Sequence, residues 1–100
     1  MDGSLRMPDG SEVTNNEARS RFELVVDGAR AVAQYTLDGQ VMHFTHTIVP
    51  QEVEGRGIGS RLIKGALDEA RSRGLKVDPV CPFVRAYIEK HAEYGDLLAT

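Results

Sequence analysis

Glu54-Gly55-Arg56-Gly57-Ile58-Gly59-Ser60 sets three glycines at alternate positions directly ahead of a stretch with helical period. In that stretch Ile58, Leu62, Ile63, Ala66, Leu67 and Ala70 share about half of a helical wheel, with Arg61, Lys64, Asp68 and Arg71 on the other side. The pattern predicts an amphipathic helix packed on a sheet, with Lys64 and Asp68 as an i, i+4 pair on its solvent side. Gly74 is the natural C-terminal stop. Glycines let a ligand approach the backbone closely, and the unpaired N–H groups of a helix N-terminus favour an anion such as a phosphate. The bland alternative is a hinge that only permits a tight strand-to-helix turn.

Upstream of this loop the period is that of strands. Phe22, Leu24 and Val26 alternate with Glu23 and Val25, and Asp27-Gly28 supplies a tight turn. From Arg30 to Leu37, Ala31, Ala33, Tyr35 and Leu37 share one face and Val32, Gln34 and Thr36 the other; Asp38-Gly39 marks a hairpin. Gln40 to Val49 is a third strand, with Met42, Phe44, His46 and Ile48 expected on one face and Val41, His43, Thr45, Thr47 and Val49 on the other. Downstream, Leu75-Lys76-Val77 reads as a short strand, so the helix becomes a right-handed crossover that sets strands three and four side by side and parallel. Pro82 fits the first position of a second helix with Phe83, Val84, Tyr87 and Ile88 as its apolar face. The fold class is therefore α/β, a compact domain with an antiparallel meander, a βαβ crossover giving a mixed four-stranded sheet, and a C-terminal helix.

At 100 residues the chain has the size of one domain. Residues 1–20 are polar and turn-rich, expected as a mobile arm, and 21–100 form the domain. A net charge of −3 argues against a nucleic-acid partner. A lone cysteine, no basic-then-apolar leader and no long apolar run lead us to expect a cytoplasmic protein with no membrane partner. The three histidines and one cysteine show no metal-ligand spacing.

Two phosphate-binding motifs fail on this loop. A P-loop needs a glycine-lysine pair, and Gly59 is followed by Ser60-Arg61. A dinucleotide fingerprint needs a third glycine where Leu62 stands, although Asp78 lies about 20 residues on. The loop instead resembles the acyl-CoA loop of the GNAT superfamily of N-acetyltransferases, Arg/Gln-x-x-Gly-x-Gly/Ala, with Gly57 and Gly59 on its glycine positions. His46-Thr47-x-Val49-Pro50 and Lys76-Val77-x-Pro79-x-Cys81-Pro82-Phe83-Val84-x-x-Tyr87-Ile88, with His91 and Tyr94, resemble the small YjdJ-type branch over residues 21–95. Two departures stand out: Glu54 occupies the Arg/Gln position, and Asp27-Gly28-Ala29 replaces the helices that usually separate the first two strands.

The resemblance implies acetyl-CoA as cofactor and transfer of acetyl to a primary amine, a small amine or a protein lysine. It implies that Gly55, Arg56, Gly57, Ile58, Gly59 and Ser60 hold the pyrophosphate, and that Thr47, Ile48 and Val49 pair with pantetheine amides as an added strand would. Three residues are then candidates for the chemistry. Cys81 precedes Pro82 and caps a helix, where the dipole favours a thiolate that accepts acetyl or acts as base; the alternative is a buried small hydrophobe. His46 is either a base for the amine or for Cys81, or a structural strand histidine. Tyr87 is either the proton donor to the departing thiolate or core packing beside Phe83. An acyl-CoA-binding or sensing module without efficient transfer is the alternative function, and a partner-binding adaptor a third, which leaves the glycine loop unexplained.

Overall fold

The computed structural model describes residues 13–99. Its strands are β1 (Thr14–Asn16), β2 (Arg21–Val26), β3 (Ala29–Asp38), β4 (Val41–Ile48) and β5 (Lys76–Pro79), and its helices α1 (Ile58–Ser72) and α2 (Pro82–Lys90). The sheet order is β1-β2-β3-β4-β5, antiparallel except for the parallel β4–β5 pair. This is the expected meander and crossover with one strand more. Thr14–Asn16, assigned from sequence to the arm, pairs with Arg21–Glu23, making the sheet five-stranded; residues 1–12 lie outside the described residues.

Side chains explain why so short a strand holds. Asn15 donates to Glu69 of α1 (2.9 Å) and accepts from the Tyr35 hydroxyl (2.7 Å), tying the edge strand to helix and sheet. Val13 packs on α1 at Gly65, where a Cβ would fall 2.7 Å from it. A polar, aperiodic sequence gives no sign of such partners, because they lie 20 and 54 residues away.

Turn chemistry closes the hairpins. Asp27 and Gly28, with φ of 51° and 79°, form the two-residue turn whose left-handed backbone matches strand twist. The β3–β4 turn sits one residue later than expected, at Gly39-Gln40, with Asp38 opposite Val41. Gly74 ends α1 as expected: it has φ 71°, and Gly74 and Leu75 donate to the carbonyls of Arg71 and Ala70, the paired bonds of a Schellman stop.

The apolar face of α1 lies on Phe22, Leu24, Ala31, Ala33, Tyr35, Met42 and Phe44 in one core. Two inward expectations fail. Leu37, beside the turn, is 48% exposed. At Thr45 the β4 alternation breaks, because Tyr35 pairs with Phe44 but Gln34 pairs with His46, leaving one extra residue in β4. Such a bulge turns over every residue beyond it. Thr47 therefore lies opposite Ala33 on the α1 side, while His46 and Ile48 lie opposite Gln34 and Val32 on the other face. His43, opposite Thr36, shares that face with His46 instead of opposing it.

After α2 the chain makes a 3₁₀ turn over Ala92–Leu97, and Leu98 bridges to Val77 at the β5 edge. Tyr94 donates to Asp68 (2.6 Å) beneath the Arg71 guanidinium, which grips both Asp96 carboxylate oxygens. The C-terminal segment is thus fastened to α1. No helix among the described residues is long and apolar enough to cross a membrane.

Candidate functional site

The β4–β5 ladder ends at Phe44 and Pro79, and the Cys81 N–H donating to the Phe44 carbonyl (2.8 Å) is its last link. Beyond it β4 continues to Ile48, paired with β3 alone, while the other chain turns at Cys81 into α2. The two strands part, and the β4 edge over Thr45–Ile48 has no strand partner among the described residues. A cleft of about 670 Å³ opens there, with Thr47, Ile48 and Val49 as one rim. Its other rim is the glycine loop, Glu54, Gly55 and Gly57 to Ser60, with Phe83 between them.

The loop rim is made of backbone. Gly55 and Gly57 have φ of 82° and 72°, and a Cβ on either would meet no heavy atom within 4 Å, so bare peptide faces open space. Gly57 caps α1 without a side-chain hydrogen bond, which leaves the first N–H groups of the helix without an intrahelical or capping partner. Gly59 has a packing reason: a Cβ there would fall 2.6 Å from Phe83 Cζ. This rim therefore presents bare peptide and uncapped N–H groups to the cleft.

Several expected residues stand elsewhere. Arg56 is not a wall of the cleft; its guanidinium lies 2.6 Å from Asp27 in the β2–β3 turn, so the side chain is drawn to the sheet. Phe83, expected in the core, is 43% exposed because it lines the cleft. His46, expected beside Cys81, is exposed on the far face, turned there by the bulge. Thr47 takes the place next to Cys81, with its Oγ1 3.4 Å from the sulfur, close enough for the thiol to donate.

Cys81 is buried at the N-cap of α2, and Pro82 follows at the first helical position. Burial pushes its thiol up, but hydrogen bonding with the Thr47 hydroxyl and with the backbone at Val84, Phe83 and Thr47 outweighs this and holds it below the usual range. Tyr87 is buried and stacks on His91 with ring centroids 4.0 Å apart. Burial raises its hydroxyl above the ordinary tyrosine range, so it stays protonated at neutral pH. It shares a smaller cavity of about 160 Å³ with Ser60 and Phe83, residues that also line the main cleft. Among the described residues no cluster of three or more His, Cys, Asp or Glu side chains is placed to hold a metal.

Sequence reasoning missed Thr47 as the partner of Cys81, Asp27 as the partner of Arg56, and Phe83 as a wall. The Asp27-Gly28 turn and the Gly59–Phe83 pairing left weak signals in composition; the bulge left none.

Comparison with known proteins finds relatives over most of the chain. The profile of a family described as GCN5-related N-acetyl-transferase matches residues 21–97. The human protein NATD1 is 30% identical over 92 residues, covering 89% of this chain and 81% of its own. Mouse NATD1 is 32% identical over 82 residues, covering 79% and 74%. The solution structure of a GCN5-like protein from Staphylococcus aureus superposes with a TM-score of 0.65 at 28% identity, over 92% of this chain and 90% of the other.

Proposed function

Because the chain belongs to the GCN5-related N-acetyltransferase family, we propose that it binds acetyl-CoA in the cleft between β4 and the glycine loop and transfers acetyl to a primary amine. One observation carries the reading: an unpartnered strand edge and an uncapped helix N-terminus face the same cleft. The N–H groups of Gly57 to Ser60 receive the pyrophosphate, and the Thr47–Val49 edge pairs with the pantetheine amides. Bound there, acetyl-CoA supplies an activated acyl carbon and a thiolate leaving group.

The chain's own residues then divide as follows. Cys81, with a lowered thiol pKa and Thr47 beside it, accepts a proton or the acetyl group at the inner end of the cleft. Tyr87 holds a proton for the departing thiolate. His46 stands on the opposite sheet face and serves as base only for an amine approaching from that side. Glu54 is the one carboxylate in the cleft wall and opposes an anionic ligand.

Calorimetric titration with acetyl-CoA and CoA tests binding. Thiol release and intact mass, with and without amines, test transfer. Loss of amine-dependent release in Cys81→Ala assigns Cys81, and unchanged turnover removes it. A second reading, an acyl-CoA sensing module, is favoured by the uncovered sheet face, where Val25 and Ile48 are each about half exposed; tight binding with no amine-dependent release would establish it.

A further inference from the structure

A second cavity, of about 530 Å³, lies at the β5 edge and shares no lining residue with the cofactor cleft. Its walls are apolar: Val41, Val77, Pro79, Ile88 and Leu98, closed on one side by Ala99, whose N–H donates to the Val77 carbonyl (3.0 Å). This is the volume range of small-molecule sites.

Four polar side chains complete it, and their charges do not cancel. Asp78 and Glu89 are two carboxylates against the single guanidinium of Arg85, which donates to the Pro79 carbonyl (3.3 Å). Asp78 Oδ2 lies 2.8 Å from His43 Nδ1. A carboxylate only accepts, so Nδ1 carries the hydrogen and the imidazole fixes the carboxylate against the wall. Asp78 Oδ1 has no side-chain or backbone donor among the described residues. The cavity thus joins an apolar body to one oriented carboxylate with acceptor capacity left over.

Its position matters as much. Pro79, one of its walls, is the last β5 residue paired with β4, and Cys81 lies two residues on. Through Pro79 the cavity reaches the point where β4 and β5 part. From the charge, the apolar walls and this junction we infer that the cavity is the acceptor-binding site, taking a small primary amine with an apolar body. The ammonium lies against Asp78 and Glu89, and the body fills the space between Val41, Val77 and Ile88. His43 is a positioning residue that acts through Asp78. The acceptor role rests on the transferase reading above; the cavity's preference for an apolar cation does not.

Methyl NMR of the whole chain, saturated with CoA, tests this with phenethylamine, its neutral analogue phenethyl alcohol, and spermidine, which lacks the apolar body. Phenethylamine should shift the Val41, Val77 and Ile88 methyls saturably, with the other two binding about tenfold weaker or worse. Asp78→Asn should remove the preference for the amine over the alcohol, and Ala99→Trp, at an exposed backbone-paired position, should block both. His43→Gln, which keeps an N–H donor, should retain the preference that His43→Ala loses. In thiol-release assays the same variants should raise KM for phenethylamine. If CoA binds normally and phenethylamine leaves these methyls unmoved, the cavity is not the acceptor site. If calorimetry finds no CoA binding, the transferase reading fails, and the acceptor role falls with it whatever the methyls show.

Discussion

The two rims of the cleft between β4 and the glycine loop are built in different ways. The glycine loop gets its open shape from residues within it, through left-handed φ at Gly55 and Gly57. The β4 rim gets its shape from a partner strand, because only pairing with β3 around the Thr45 bulge presents Thr47 to Cys81 and turns His46 away. A rim built locally tolerates changes elsewhere; a rim built by register fails as a unit when register slips.

Inserting an alanine between Gln34 and Tyr35, opposite Thr45, is the severest way to break that contrast. With the bulge residue paired, alternation runs unbroken through both strands, so Ala33 and Thr47 can no longer share the α1 side with Tyr35 and Phe44. A stability loss on the order of 3 kcal/mol is expected in urea titration, with acetyl-CoA binding lost and Cys81 alkylation by iodoacetamide accelerated. Unchanged stability and binding would show that the strand rim does not depend on the bulge.

Gly57→Val attacks the other rim. A β-branched residue at φ 72° is strained, and its methyls enter the cleft. Acetyl-CoA affinity should fall on the order of a hundredfold, about 2.7 kcal/mol by calorimetry. Gly57→Asn, which tolerates the left-handed region, should lose markedly less, and equal losses would point to bulk instead of backbone conformation.

Thr47→Val tests the contact between strand rim and thiol. Without the hydroxyl, the Cys81 pKa should rise, and the pH profile of its alkylation should move to higher pH. Linkage has a definite sign here. A thiol held below its unfolded value contributes stability that is fully present above the unfolded pKa and lost as pH falls through the folded one, so the substitution should cost more in alkaline than in neutral buffer. An unmoved alkylation profile would remove Thr47 from the site.

Arg56→Gln should do least. Its pair with Asp27 is exposed on both sides, worth less than about 1 kcal/mol, and the guanidinium faces the sheet, so stability and acetyl-CoA affinity should both change little. A tenfold loss of affinity by calorimetry would show that Arg56 leaves Asp27 for the ligand.

The same contrast explains what could be read in advance. The stripe on α1, its Gly74 stop, Pro82 at the start of α2 and the glycine loop are local patterns of spacing, and each stands where it was expected. The errors cluster where distant residues decide. Asn15 finds Glu69 and Tyr35, which a polar stretch does not advertise. The bulge leaves the alternation of β4 intact on paper and reverses its meaning from His46 onward.

From its sequence alone the chain specifies an antiparallel meander, a parallel crossover through an amphipathic helix, and a helix N-terminus opened by glycines, because period, caps and turn residues act within a few positions of one another. Only the tertiary structure decided the fifth strand, the face on which His46 lies, the Thr47–Cys81 contact and the His43–Asp78 pair beside a second cavity. Those depend on which residue of one strand meets which of another, and one extra residue at Thr45 is enough to change it.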